Sequence, residues 1–274
     1  MQNKSPPLIL TFGASDPVGA TGIQADLASF AAIGCHGLSA LTAVLVGDTS
    51  EIDDIHPLDA DLVDEQARTV LEDMLISAIK IGQVGSAENV TAIAEIVSDY
   101  PEMPIVLAPF NAAIPAADSE ADDIVAAISE LLIPQASLLV ISSSELHRLA
   151  DTWKNPDLPE SSIDIATEVA VLLDSGCEYV LVTDISLSTN EVANILFNDT
   201  GVVQQHQWPR IPGVFMGAGN TLAAAITAVL ANGLEMPEAV LEAQEYTFAA
   251  VSNAHAPGMG KLVLNHYFWT EESE

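Results

Sequence analysis

Short, continuous apolar runs alternate along the chain with longer stretches in which apolar residues recur at helical spacing. The runs predict buried strands at 8–12, 38–46, 78–82, 104–108, 137–142 and 179–184. The stretches between them predict helices at 62–75, 87–98, 118–133, 144–150 and 164–175, and a further one follows the first strand and ends near Gly34. Continuous apolar strands separated by helices are typical of a parallel sheet covered on both faces. The pattern therefore predicts an α/β fold with a mostly parallel central sheet.

The last third of the chain has a different pattern. Segments 192–198 and 202–208 predict a hairpin that turns at Asn198-Asp199-Thr200-Gly201. A long apolar helix then begins near Gly217 and ends at Gly233, and a second one follows. No linker, repeat or low-complexity block interrupts the chain, so we expect one domain over residues 1–274.

Composition limits the partners of this chain. Its 274 residues include 39 acidic and 7 basic side chains, which gives a formal charge of −32, while 49% of residues are hydrophobic. So many hydrophobic residues favour a folded chain over a disordered acidic one. Seven cations cannot neutralise a row of phosphates, so we expect no nucleic-acid partner and no attraction to anionic membranes.

No targeting segment is visible in the sequence. The apolar run at 8–12 is too short for a signal peptide, and no stretch of about 20 apolar residues could span a bilayer. We expect a cytoplasmic protein. Its two cysteines, Cys35 and Cys177, predict two buried, reduced thiols, and the six histidines have no metal-ligand spacing.

Two glycine-rich segments are candidates for function. Residues 13–22, GASDPVGATG, follow the first strand, where open α/β sheets bind ligands; a tight turn with Asp16 capping the next helix is an equally good interpretation. The second segment is Gly217-Ala218-Gly219-Asn220 at the start of the long helix. Backbone N–H groups at such a helix N-terminus bind anions without any basic side chain, which suits this composition. The alternative is a plain helix entry capped by Asn220 or Thr221.

Together these motifs resemble the hydroxymethylpyrimidine/phosphomethylpyrimidine kinase family of thiamine biosynthesis, within the ribokinase-like fold. The family opens with A-G-S-D-x-S-G-G-A followed by G-I-Q-A-D-L, and here residues 13–21 are followed by GIQADL unchanged. The K-I-G-M of the family matches Lys80-Ile81-Gly82-Gln83, and its G-T-G-C-T-L matches the segment from Gly217 to Leu222. The resemblance covers essentially the whole chain. It implies a ribokinase-like fold and ATP-dependent phosphoryl transfer to a hydroxymethylpyrimidine or its phosphate.

The resemblance also assigns site residues, and several differ from the family pattern. The base of the family, a Cys, is replaced by Asn220, whose amide cannot take a proton near neutral pH. Gly217, Ala218 and Gly219 would form the anion hole. The strand-end M-K-G-G, whose Lys contacts ATP phosphates, is replaced by Val182-Thr183-Asp184-Ile185. On the nucleotide side, Ser142 stands in place of an Asn, while Glu145, which would hold Mg²⁺, is retained.

The positions that would meet the pyrimidine are Ala14, Thr21, Asp26, Gly47, Gln83 and Phe110. Asp26, which would orient the substrate, is kept. The Gln that bonds the ring in the family is Gly47 here, its Met is Gln83, and its Val is the bulkier Phe110. These changes predict a different small ligand or none.

Two functions follow from this comparison. The first is a phosphomethylpyrimidine kinase-like enzyme that uses Mg-ATP and turns over slowly, because charge stabilisation rests on backbone N–H groups and metal alone. The second is a non-catalytic pseudokinase that binds a small metabolite or a partner protein. A homodimer is compatible with either function.

Overall fold

The computed structural model describes residues 5–110, 119–151 and 164–270. Within them one large sheet contains nine strands: β1 Leu8–Ser15, β2 His36–Gly47, β3 Ile52–Pro57, β4 Ala78–Ile81, β5 Ile105–Leu107, β6 Leu138–Ser142, β7 Tyr179–Ser186, β8 Glu191–Asn198 and β9 Gly201–Pro209. Their order across the sheet is β3-β2-β1-β4-β5-β6-β7-β8-β9. Six strands that are adjacent in this order pair in parallel, namely β2, β1, β4, β5, β6 and β7. Strand β3 pairs antiparallel at one side of the sheet, and β8 and β9 pair antiparallel at the other. The predicted parallel core is confirmed.

Helices cover both faces of this sheet. They are α1 Gly22–Ala32, α2 Ala60–Asp73, α3 Ala87–Ser98, α4 Ser119–Ala127, α5 Ser143–Asp151, α6 Ile165–Asp174, α7 Ala218–Ala231 and α8 Met236–Ser252. On one face, residues of α2, α3, α5 and α6 pack on the largest hydrophobic cluster. On the other face, α1, α7 and α8 contribute to two further clusters. A short parallel pair, β10 Phe215–Met216 and β11 Leu262–Val263, lies outside the main sheet.

The helix predicted over 118–133 is only partly correct. Helix α4 begins at Ser119 and ends at Ala127, and residues 128–132 form a π-helical turn that leads into a 3₁₀ turn at Ile133–Gln135. Pro134 lies within that 3₁₀ turn and has no N–H to donate, so an α-helix cannot continue through it. Residue 118 lies outside the described residues. Strand β3 was missed by the sequence pattern altogether.

Helix α7 is the central helix of its layer. Its inner positions are small, and Ala223, Ala224, Ala225 and Ala228 are fully buried. Small side chains let the helix backbone approach the sheet closely, and helix α8 packs against its other side. The first turn of α7 consequently lies above the carboxyl end of β4, where Asn220 contacts Lys80.

Candidate active site

The loop between β1 and α1 is organised by Asp16. Its carboxylate accepts hydrogen bonds from the backbone N–H groups of Val18 at 2.9 Å, Ala20 at 3.0 Å and Thr21 at 2.8 Å. The N-cap of α1 is Thr21, and no side chain caps that helix. The interpretation in which Asp16 caps α1 is therefore wrong: its carboxylate folds the loop instead, because three loop N–H groups have no other acceptor there.

The first turn of α7 lies directly against this loop. Gly217 is the N-cap, with φ of +90°, and a Cβ at this position would lie 1.7 Å from the carbonyl oxygen of Ala20. Only glycine fits such a contact. Capping by Asn220 or Thr221 is wrong, since the Thr221 N–H instead donates to the Gly217 carbonyl at 2.9 Å.

Residues 217–220 at the start of α7 form the helix mouth, and Gly219 is its open part. It is exposed, and a Cβ added there would meet nothing within 4 Å. The N–H groups of Ala218, Gly219 and Asn220 precede the first intrahelical bond, so they are the free donors of this helix end. Free backbone donors at a helix end can bind an anion, and the anion site at these residues stays a prediction.

A fully buried ion pair lies beneath the helix mouth. The ammonium of Lys80, on β4, contacts Asp26, on α1, at 2.8 Å to Oδ1 and 3.0 Å to Oδ2, and both side chains have no exposed area. The hydroxyl of Thr11 donates to Asp26 Oδ2 at 2.7 Å. Buried charges require such partners, and the pair is satisfied from both sides.

Asn220 completes this network. Its Oδ1 accepts from the Lys80 ammonium at 3.1 Å, and its Nδ2 donates to Asp26 Oδ1 at 2.8 Å. Because an ammonium only donates and a carboxylate only accepts, the two neighbours fix which way the amide faces. An amide at position 220 therefore bridges the ion pair. No role was predicted for Lys80, although a lysine inside an apolar strand indicates a buried partner.

His266 supports α7 from the opposite side. Its Nε2 lies 3.1 Å from the hydroxyl of Thr221, and its carbonyl oxygen accepts from the Tyr246 hydroxyl at 3.1 Å. Burial lowers the pKa of His266 from its usual 6.5, while the charge of Asp26 opposes that shift and His255 adds to it. The imidazole is neutral at physiological pH. Burial also raises the pKa of Tyr246, to about 12.

Some of the residues predicted to meet the pyrimidine lie near the helix mouth, and others only support the fold. Ala14, in β1, and Thr21, at the start of α1, are buried, Thr21 lies against Gly217, and Asp26 lies below the helix mouth. Gly47 ends β2, and a Cβ there would lie 2.5 Å from the Glu51 carbonyl oxygen, so the hairpin to β3 fills the space of a side chain. Hence a hydrogen-bonding side chain is sterically excluded at Gly47.

Gln83 and Phe110 are both half-buried at the carboxyl edge of the sheet. The Gln83 carbonyl accepts from the Thr42 hydroxyl at 2.6 Å, which ties the segment after β4 to β2. Phe110 packs against the main hydrophobic cluster. The structure therefore gives Phe110 a packing role.

The residues predicted for the nucleotide side form a second cluster on β6, β7 and α5. Ser142 and Thr183 are register partners at the ends of β6 and β7. Glu145 Oε2 accepts from the Ser142 N–H at 2.9 Å and from its hydroxyl at 2.7 Å, and the Glu145 N–H donates to that hydroxyl at 3.3 Å. This is a reciprocal capping box at the start of α5. Glu145 thus has a structural task at this helix.

Asp184 has an unusual backbone. Its φ is +54°, and it is the only non-glycine residue with positive φ among the described residues. The resemblance aligns Thr183 with the family lysine and Asp184 with the glycine that follows it. The left-handed backbone at position 184 explains why the family has glycine there. The Asp184 carboxylate lies 3.3 Å from the guanidinium of Arg210, a residue that the sequence did not single out.

Within residues 5–110, 119–151 and 164–270, no group of three or more His, Cys, Asp or Glu side chains could hold a metal ion. Cys35 and Cys177 are free and buried, as predicted, and burial raises the pKa of both thiols, that of Cys177 to about 12. No helix in the described part of the chain is long and apolar enough to cross a membrane.

A surface depression of about 780 Å³ lies at the opposite end of the sheet. Leu8 at the start of β1, Ser77 before β4 and Asn232 after α7 contribute to its lining. Ligands of open parallel sheets bind beyond the carboxyl ends of the strands, and this depression lies at the amino ends. We therefore place the candidate active site at the helix mouth.

A mixed sheet with this strand order, helices on both faces and a glycine-rich helix mouth over the central strands define a ribokinase-like fold. The structure of Bacillus subtilis pyridoxal kinase in complex with ADP superposes with a TM-score of 0.83 at 24% identity, covering 98% of this chain and all of that one. Phosphomethylpyrimidine kinase from Clostridium difficile 630 gives a TM-score of 0.72 at 27% identity, over 89% of this chain and 99% of that one.

The family model for phosphomethylpyrimidine kinase matches residues 16–265, and the chain belongs to this family. The hydroxymethylpyrimidine/phosphomethylpyrimidine kinase of Haemophilus influenzae is 32% identical over 267 residues, 96% of this chain and 97% of that protein. That of Rhizobium meliloti is 29% identical over 277 residues, 96% of this chain and 99% of that protein. The resemblance read from the motifs is confirmed.

Proposed function

We propose that this protein transfers the terminal phosphoryl group of ATP to a hydroxymethylpyrimidine or its phosphate, and that it does so slowly. The observation that carries the proposal is the helix mouth, where three backbone N–H groups, including that of the exposed Gly219, are free to bind an anion. This helix mouth belongs to a ribokinase-like fold. Charge that develops on the transferred phosphoryl group would be stabilised by these donors and by the N-terminal end of the α7 dipole. Membership of the kinase family supports the same reaction.

Asn220 is the reason for expecting slow turnover. Transfer to a hydroxyl is faster when a base removes its proton, and an amide bridging Lys80 and Asp26 is no base. The amide can still hold the hydroxyl in place, since its oxygen has a second lone pair. Phosphoryl transfer needs mainly positioning and charge stabilisation, so loss of the base slows the reaction without abolishing it.

The residues present fit Mg²⁺ only as part of a nucleotide complex. Mg²⁺ in such sites is bound by substrate phosphates, waters and one or two carboxylates, and it neutralises the developing charge. Glu145 would be the carboxylate. Because its Oε2 is occupied by Ser142, its other oxygen would face the metal or a metal-bound water.

The pyrimidine itself would lie beside the helix mouth, near Ala14, Thr21 and Gln83. Phe110 would border it from the end of β5. Since the hairpin occupies the side-chain space at Gly47, recognition of ring nitrogens would fall to Gln83, whose amide both donates and accepts. A cytoplasmic protein without nucleic-acid partners is consistent with this small-molecule role.

A second candidate function is a non-catalytic pseudokinase that binds a small metabolite. The bridging of Lys80 and Asp26 by the Asn220 amide favours it, because a catalytic base is replaced by a group that stabilises the fold.

One experiment separates the two functions. The purified protein is incubated with labelled ATP, Mg²⁺ and hydroxymethylpyrimidine, and phosphorylated product is measured over hours. Slow, substrate-dependent transfer supports the kinase. If calorimetry shows binding of hydroxymethylpyrimidine but no label is transferred, the second function is correct.

A further inference from the structure

Arg210 presents a guanidinium group at the carboxyl edge of the sheet. It follows the last residue of β9, and its Nη2 lies 3.3 Å from Asp184 Oδ1 at the end of β7. Both side chains are largely exposed, at 41% and 63% of their area. The Arg210 N–H donates to the Asn190 carbonyl at 2.7 Å, so the backbone beneath the side chain is held in place.

Stability does not explain this pair. Exposed ion pairs contribute little to folding. Asp184 also adopts a left-handed backbone that costs a non-glycine residue energy. Two neighbours hold that conformation: the Ser143 hydroxyl donates to the Asp184 carbonyl at 3.1 Å, and the Asp184 N–H donates to Asn194 Oδ1 at 3.1 Å. The carboxylate of a residue with a strained backbone is thus fixed where it contacts the exposed guanidinium of Arg210.

The contacts of Asp184 also locate Arg210 relative to the rest of the site. Ser143 begins α5 next to the capping box of Ser142 and Glu145, and Thr183 is the register partner of Ser142. Arg210 therefore borders the cluster assigned above to the nucleotide. The buried ammonium of Lys80 is fully engaged by Asp26 and Asn220 and cannot serve an incoming phosphate.

We propose that Arg210 binds the nucleotide phosphates and that Asp184 holds its guanidinium in position until the nucleotide displaces it. The planar guanidinium forms paired hydrogen bonds with phosphate oxygens and keeps its charge at any physiological pH. Asp184 then acts as a competitor of the nucleotide, and its carboxylate also repels the phosphates. This inference rests on the proposed function, because it names a residue for the ATP of that reaction.

The proposal gives the two partners of one ion pair opposite effects. Arg210→Gln should weaken binding of Mg-ATP by about tenfold or more, since a charged, paired hydrogen bond is lost. Arg210→Lys should fall between Gln and wild type, because it keeps the charge but not the paired geometry. Asp184→Asn should tighten binding severalfold, since the competitor is removed, and asparagine tolerates a left-handed backbone.

The measurement is calorimetric titration of each full-length protein with Mg-ATP, so it needs no turnover. Arg68→Gln is the matched control: it removes the same charge from α2, where Arg68 bonds to Asp64 at 2.7 Å and Asp99 at 3.1 Å. We expect the control to bind like wild type. Unfolding in urea should give nearly the same midpoint for all variants. Where turnover is measurable, the KM for ATP should change and the KM for the pyrimidine should not.

Three results would overturn the assignment. If wild type binds Mg-ATP and Arg210→Gln binds it equally well, Arg210 is not a phosphate ligand, and the kinase proposal stands. If both Arg210→Gln and Asp184→Asn weaken binding, the pair is structural support for the loop. If wild type does not bind Mg-ATP at all, both the role of Arg210 and the ATP-dependent function are wrong.

Discussion

The ammonium nitrogen of Lys80 lies 3.1 Å from the side-chain oxygen of Asn220, although 140 positions separate the two residues in the sequence. This contact links the strand at the centre of the sheet to the first turn of α7. It makes residue 220 part of a buried charge network whose other members are Asp26 and Thr11. The chemistry available at the helix mouth therefore depends on a lysine that never reaches solvent.

The Lys80–Asp26 pair should be essential to folding as a pair. We expect Lys80→Met to lower the free energy of unfolding by about 3–5 kcal/mol, because it leaves a buried carboxylate without its cation. The double variant Lys80→Met/Asp26→Asn removes both charges and should recover a substantial part of that loss. Urea unfolding of wild type, the single variant and the double variant gives the comparison. A double variant as unstable as the single one would show that packing, rather than charge, is what Lys80 supplies.

A base restored at position 220 should raise kinase activity, and the geometry ranks the two obvious replacements. Asn220→Cys removes the amide and leaves a thiol beside the Lys80 ammonium, which lowers the pKa of a thiol. Asn220→Asp places a second carboxylate beside the same ammonium, but also where the amide now donates to Asp26 at 2.8 Å, and that like charge opposes Lys80 by raising the pKa of the new group. We expect a measurable gain of kinase activity in Asn220→Cys and a smaller gain in Asn220→Asp.

The assay for these variants is transfer of label from ATP to hydroxymethylpyrimidine, with wild type measured alongside. The Asp variant should also have a pH–rate profile that rises toward alkaline pH as its new carboxyl group ionises. Robust turnover by wild type would contradict the account of Asn220. Silence in all three proteins would favour the non-catalytic function.

Two glycines of the helix mouth should respond differently to alanine. Gly217→Ala should unfold or severely destabilise the protein, because the new Cβ would meet the Ala20 carbonyl oxygen in a left-handed conformation. Gly219→Ala should keep or slightly raise the free energy of unfolding, by up to about 1 kcal/mol, since alanine favours helix and the space is open.

The same Gly219→Ala variant tests the anion site. Its methyl group projects into the space that a bound phosphoryl group would occupy, so binding of Mg-ATP should weaken although the fold is intact. Unfolding and calorimetric titration on one preparation measure both effects. Unchanged binding in a stable Gly219→Ala protein would place the phosphates elsewhere.

His266 should make the protein sensitive to mild acid. Its pKa is lowered in the folded state, mainly by burial, so the unfolded chain binds the proton more readily. Stability should therefore be fully present above the unfolded pKa near 6.5 and should fall as pH drops below that value. His266→Asn keeps a polar contact for Thr221 and removes the titrating group. We expect the loss of stability between pH 7.5 and 5.5 to be smaller in this variant than in wild type, as measured by urea unfolding.

The parallel core was predictable because its strands are continuous apolar runs, and Leu10, Ile79 and Leu139 are buried as that pattern requires. Strand β3 was not, since its sequence IDDIHP carries charged residues at the edge of the sheet, where only one side is paired. The pattern of apolar residues along a sequence indicates which segments are buried. An edge strand such as β3 is mostly exposed, so this pattern does not reveal it. The capping box of Ser142 and Glu145 lies within four residues and could be read directly.

The contacts that define the site are long-range, which is why sequence reasoning found its members but not their partners. The glycines of the α7 mouth and Asp26 were recognised from motifs, yet nothing in the local pattern around Lys80 shows that Asp26 is its partner. Asp184 and Arg210 are 26 positions apart and meet only because β7 and β9 flank the same strand. A pairing of this kind follows from topology rather than from spacing.

The meeting of Asn220 and Asp26 across 194 positions has a consequence for how the protein is made. While the chain is being synthesised, β1, α1 and β4 emerge first, and they carry the Asp26 carboxylate and the Lys80 ammonium without their bridging amide. Contacts between distant segments form late because a long loop must close. The site is complete only after α7 has left the ribosome and docked against α1 and β4. A shorter nascent chain therefore cannot bind phosphate at this place.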